Sequence, residues 1–161
     1  MDPTDTIPET QAPGHHPAVE QDKPPPTRLP PGTVRRFAFA FEPAGLALGL
    51  PFGVTPWTTG LTVTARDLVI VYGPWRLRTP LANVAGTERT GPYRLSRIAG
   101  PPRWSWADRG VSFATTTAEG LCIRFRRPVP GVLPLGLHLG LVRHPAATVT
   151  VDDREGLARL L

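Results

Sequence analysis

Four arginines in two pairs carry the clearest chemical signal in this sequence. Arg76 and Arg78 stand two residues apart in WRLRTP, and Arg124 and Arg126 stand two apart in CIRFRR. In an extended chain, residues i and i+2 share a face, so each pair projects two guanidinium groups in one direction. Guanidinium forks grip phosphate or carboxylate oxygens through paired N–H donors. A cluster of the four, joined by Arg94–Arg97 or Arg103–Arg109, would suit an anionic ligand such as a phospholipid headgroup or nucleic acid. The competing reading is a solvated outer face with cross-strand pairs to Glu88 or Asp108. Nucleic acid also needs aromatic platforms. Trp104 and Trp106 could supply one, although tryptophans of a small β domain more often fill a core or an oligomer interface.

Other reactive residues are sparse. Cys122 is the single cysteine, on the strand side shared with Arg124 and Arg126, where guanidinium groups would lower its pKa. A small, buried and inert thiol is the commoner role. His138 and His144 would complete a three-ligand metal site with Cys122 only if the fold brought them together. The sequence contains no CxxC, HxxxH or HExxH spacing. Asp67, Asp108 and Glu119 fall at turns, where carboxylates serve the backbone, and no carboxylate pair recommends itself for acid–base work. With no GxSxG, P-loop or GxGxxG either, no enzymatic role, cofactor or metal has residues to carry it.

The elements that must position these arginines read as strands. Leu61 and Val63 alternate with Thr62 and Thr64, a turn at Ala65–Asp67 follows, and Leu68–Tyr72 is apolar on both sides. Gly73–Pro74 then breaks the chain before Trp75 and Leu77 alternate with Arg76 and Arg78. A period of two, punctuated by Gly and Pro, predicts a three-stranded meander over Thr59–Val84. Upstream, Val34–Phe41 predicts a strand with Phe37, Phe39 and Phe41 on one face. Ala44–Val54 fits a short helical turn, a strand or a buried loop, and its three glycines and one proline argue against a stable helix. Downstream, Ala85–Thr90 predicts a strand and Gly110–Arg126 a second hairpin turning at Thr116–Gly120. Pro128–Gly140 is too rich in Pro and Gly for a regular element, and Ala146–Val151 predicts a last strand. Asp152-x-x-Glu155 has capping-box spacing ahead of a helix with Leu157, Leu160 and Leu161 on one stripe.

Composition divides the chain. Residues 1–32 hold nine of the 21 prolines, five acids and two bases, for a net charge of −3. A segment so poor in large apolar side chains cannot offset the entropy of ordering, which predicts a disordered, acidic, Pro-rich tail. Residues 33–161 carry sixteen arginines against eight acids, net +8, and are numerous enough for a core without disulfide or metal. The N-terminus is acidic and lacks the apolar region of a secretory signal. The longest apolar-leaning run, Phe37–Gly53, is too short and broken to span a bilayer. A soluble cytoplasmic protein is the expectation.

A meander whose third strand ends in Pro-Leu-x-x-Val, then further strands, then a C-terminal helix, resembles the bacterial pleckstrin-homology-like (PH-like) domains. The matching pieces are GLTVTARDLVIVYGPWRLRTPLANV (Gly60–Val84), Gly110–Arg126 and Asp152–Leu161. The segments GPYRLSRIAGPP, RGVSFATTTAEGLCIRF and RHPAATVTVDD also look like a group of uncharacterised actinobacterial proteins. The resemblance covers residues 33–161 and implies a mainly β, seven-stranded bent barrel or sandwich, one open end of which is plugged by the terminal amphipathic helix. It implies a non-enzymatic interaction module that binds a protein partner or forms a homo-oligomer. The alternative is an anion-binding module using Arg76, Arg78, Arg124 and Arg126 for phospholipid headgroups or, less so, nucleic acid. Ala44–Pro56 and Pro128–Pro145 depart from the family pattern.

Overall fold

The computed structural model describes residues 29–93, 101–104, 110–130 and 142–161. The tail expected over residues 1–32 therefore lies almost wholly outside the described residues, as do Arg94, Arg97, Trp106, Asp108, Arg109 and His138. Leu29, the first described residue, rests half-buried against the core.

The meander forms as the alternation demands. Strands β1 (Val34–Phe37), β2 (Thr59–Thr64), β3 (Asp67–Tyr72) and β4 (Trp75–Pro80) make one antiparallel sheet in sequence order. Its register sets Phe37 against Leu61, Leu61 against Ile70, and Ile70 against Leu77, a buried row across all four strands. Each such aliphatic side chain contributes about 1.5–3 kcal/mol by leaving water. The β2–β3 turn is shaped by Thr64, whose Oγ1 accepts from Arg66 N at 3.2 Å and Asp67 N at 2.9 Å. The β3–β4 turn needs Gly73, which has φ +58° and lies so close to Gly53 that an added Cβ would sit 2.9 Å from its carbonyl oxygen.

A second sheet, in the order β5-β8-β9-β7-β6, comprises β5 (Val84–Thr90), β6 (Arg103–Trp104), β7 (Val111–Phe113), β8 (Gly120–Pro130) and β9 (Arg143–Val149). Here the sequence reading needs correction. Gly110–Arg126 is not a hairpin, because β9 inserts between its two strands, antiparallel to β8 and parallel to β7. The connection between them is drawn aside by specific bonds. Thr115 N donates to Thr150 Oγ1 at 3.0 Å, and Thr117 N donates to Glu42 Oε1 at 2.6 Å. Alternation in two segments cannot reveal that a third one separates them.

The apolar faces of the two sheets share one core, to which α2 (Arg154–Leu160) adds the buried Leu157. Tyr72 spans the layers, its ring 5.4 Å from that of Phe113 and its hydroxyl donating to Ala114 O at 2.9 Å. The sheets do not close into a barrel. They are joined instead at the two edges of the first sheet. On the β1 side, Phe39 bridges Val151, with Ala40 N donating to Thr150 O at 2.8 Å and Asp152 N to Ala38 O at 3.0 Å. On the β4 side, a 3₁₀ turn at Leu81–Asn83 passes the chain across.

Both helices differ in detail from expectation. Helix α1 (Pro43–Gly49) forms despite its glycines, followed by a 3₁₀ turn at Leu50–Phe52. Pro43 occupies its first turn, where a missing N–H costs nothing. Gly45 lies against the Thr115 carbonyl, where a Cβ would come within 1.9 Å of the oxygen. Tertiary contact here overrides helix propensity. Helix α2 is capped by Asp153 rather than Asp152. Asp153 Oδ1 accepts from Gly156 N at 2.7 Å, while Asp152 serves the backbone bridge to Ala38.

Candidate anion-binding cleft

The site is built where β4 ends and β8 passes beneath it. Strand β4 alternates cleanly, with Trp75, Leu77 and Thr79 buried and Arg76, Arg78 and Pro80 exposed. Strand β8 is buried from Gly120 to Ile123 and then alternates only as far as Arg126. Its register against β9 shifts between Arg124 and Val129, and Arg126, Arg127 and Pro128 are all exposed. Pro128 has no N–H for a ladder, which suits an irregular stretch of strand.

Asn83 ties these two places together. Its Nδ2 donates to Thr79 Oγ1 and to Arg127 O, both at 2.9 Å, and its Oδ1 accepts from Arg127 N at 2.9 Å. One amide side chain thus replaces a rung of the ladder that the two sheets lack there. Above it opens a cleft of about 470 Å³ lined by Arg78, Thr79, Asn83, Arg126, Arg127 and neighbouring prolines.

The electrostatics of the cleft are one-sided. Arg78 Nη2 lies 2.9 Å from Asp67 Oδ2. The hydrogen bond to that carboxylate, and then its charge, raise the Arg78 pKa above its ordinary value. Asp67 is the register partner of Pro80 on the neighbouring strand, so the pair sits on the rim. Arg126 and Arg127 make no ion pair among the described residues. Three arginines thus line the cleft, and among the described residues Asp67, bound to Arg78, is the carboxylate beside them.

The four arginines singled out from sequence are divided by the fold. Arg78 and Arg126 meet at the cleft. Arg76 lies farther along β4 on the outer face of the first sheet, opposite Val71. Arg124 lies on the outer face of the second sheet and pairs with Glu88 across β5 and β8, the cross-strand pairing expected for a solvated face. Sequence reasoning missed Arg127 and Asn83. Strict alternation turns Arg127 inward, whereas Arg-Arg-Pro could have signalled the irregularity that exposes it. Nothing in PLANV marks Asn83 as the residue that bridges two sheets.

The remaining candidates are separated. Cys122 is buried opposite Thr148, whereas His144 is buried opposite Val129. Four positions along β9 place the two roughly 13 Å apart. Among the described residues no three His, Cys, Asp or Glu side chains gather to hold a metal. No described helix is long and apolar enough to cross a membrane. Comparison with protein-family models, curated proteins and solved structures gives no match.

Proposed function

We propose that this chain is a non-enzymatic binding module of the PH-like kind, whose ligand presents a phosphate-bearing group to the cleft between β4 and β8. The observation that carries this reading is the convergence of Arg78, Arg126 and Arg127 on one cavity whose described lining holds no carboxylate, Asp67 standing beside it as the partner of Arg78. Paired N–H donors of this kind recognise phosphate oxygens bidentately. The four-stranded meander, the following strands and the C-terminal helix support the PH-like assignment. Five of the seven described carboxylates have structural roles, which supports a non-catalytic reading, while Glu119 and Asp152 line a small separate pocket beside α2. Asp67, Glu88 and Glu155 pair with arginines, Glu42 holds Thr117, and Asp153 caps α2.

The test is a titration of the full chain with inorganic tripolyphosphate, beside vesicles of phosphatidylcholine with and without phosphatidylglycerol. Free phosphate and a lipid headgroup share the same chemistry, and the two arms distinguish them. Replacing Arg126 and Arg127 by Ala should weaken binding about tenfold or more, since a hydrogen bond to a charged group contributes about 1.5–3 kcal/mol. Affinity should also fall steeply with salt. Binding that ignores both changes removes the reading.

A second reading, a protein partner or self-association, rests on a different observation. Leu48, Leu50, Phe52 and Trp57 are all exposed within one short segment, Trp57 at 88%. Exposed apolar groups gathered in this way mark interaction surfaces. Light scattering of the wild type and of Trp57→Ser across a concentration series checks it. A wild-type monomer at high concentration removes self-association.

A further inference from the structure

We infer that the acidic N-terminal segment of this same chain is an occupant of the arginine cleft and competes there with the anionic ligand; this rests on the cleft being an anion site. Three observations lead to it. The first is charge. Residues 1–28 contain Asp2, Asp5, Glu9, Glu20 and Asp22 against Lys23 and Arg28. The cleft offers Arg78, Arg126 and Arg127 against Asp67. The two surpluses have opposite sign and similar size.

The second observation is position. Strand β1 begins at Val34, whose register partner is Thr64, next to the turn that leads to Asp67, itself the partner of Pro80. The start of β1 and the mouth of the cleft therefore lie at the same end of the first sheet. They are separated by three strand spacings of about 4.8 Å, or about 14 Å. Had β1 run in the opposite direction, the segment would leave from the far end.

The third is reach. The chain is anchored by Leu29 on the core and by a turn in which Thr33 N donates to Pro30 O at 3.1 Å. Asp22 stands seven residues before Leu29 and Glu20 nine before it. The turn keeps Leu29 within about 15 Å of Val34, so the cleft lies within about 30 Å of Leu29, a distance that nine residues of extended chain at about 3.3 Å each cover from Glu20. Tethering also raises the local concentration of these carboxylates at the cleft.

The test uses the full chain with a nitroxide label on Gln21→Cys, leaving the buried Cys122 in place. Its partner variant carries Asp2→Asn, Asp5→Asn, Glu9→Gln, Glu20→Gln and Asp22→Asn. Broadening of the Asn83, Arg127 and Val129 amide signals should be strong with the acids present and fall when they are neutralised or when salt is raised. Because the tether is the same in both proteins, simple proximity cancels. Neutralising the acids should also tighten tripolyphosphate binding about fivefold, the factor expected when the segment fills the cleft about four-fifths of the time. Equal broadening in the two proteins overturns the inference. Tripolyphosphate bound equally by both leaves the anion site standing and overturns the competing tail alone. Tripolyphosphate bound by neither overturns the cleft as a phosphate site, and the broadening then decides by itself whether the acidic segment sits there.

Discussion

Asn83 holds Arg127 by both of its backbone polar groups, donating to the carbonyl oxygen and accepting from the amide nitrogen at 2.9 Å each. This relationship fixes the floor of the cleft, because it sets the backbone from which Arg126 and Arg127 project. Replacing Asn83 by Ala removes three hydrogen bonds at once, including that to the buried Thr79 hydroxyl. We expect a loss of about 1–3 kcal/mol in urea unfolding. The same variant should weaken tripolyphosphate binding although no guanidinium group has been removed.

Asp67 restrains Arg78 from outside the cleft. The Asp67→Asn variant removes the charge that holds the guanidinium at 2.9 Å and leaves Arg78 available to a ligand. Tripolyphosphate affinity should rise by about twofold to fivefold, as fits a screened surface interaction. The unfolding midpoint should not move measurably, because Arg78 is solvated. Calorimetric titration and thermal unfolding of the same sample check both.

Tyr72 makes stability depend on alkaline pH. Its burial raises the phenol pKa well above the ordinary value of about 10. In the unfolded chain the phenol ionises above about pH 10 while in the folded protein it keeps its proton, so the folded state then binds more protons. Stability is therefore fully present below pH 10 and declines as pH rises beyond it, with a slope approaching about 1.4 kcal/mol per pH unit. Tyr72→Phe should abolish that slope. At neutral pH it should cost about 1–2 kcal/mol, because the Ala114 carbonyl loses its donor. Urea unfolding of both proteins from pH 8 to 11 separates the two effects.

Gly45 is required by packing rather than by local conformation. A methyl group there would lie 1.9 Å from the Thr115 carbonyl oxygen, and that carbonyl belongs to the segment tied to Thr150 and Glu42. Gly45→Ala raises intrinsic helix propensity by about 1 kcal/mol. It should nevertheless destabilise the protein by about 1–3 kcal/mol, the usual effect of overpacking. A rise in the thermal midpoint would contradict the close approach of α1 to Thr115.

Local patterning alone determined the meander of β2, β3 and β4. Leu61, Val63, Leu68, Ile70, Trp75 and Leu77 are all buried, as a strict period of two between Gly-Pro and Thr-bounded turns requires. It also determined the terminal helix and which faces carry Arg76, Arg78 and Arg124, because each depends on residues within a few positions of one another. Tertiary structure decided the rest. That β9 lies between β7 and β8, that Gly45 can sit in a helix, and that Asp152 is taken up by the bridge to Ala38 all depend on partners absent from the local sequence. The cleft is the clearest case. Arg78 and Arg126 are 48 positions apart in the chain, and only the Asn83 bridge, with the irregular stretch of β8 that exposes Arg127, brings their side chains to one cavity. Periodicity reports which way a side chain points from its own strand. Which strands meet at a corner is set by the packing of the whole chain.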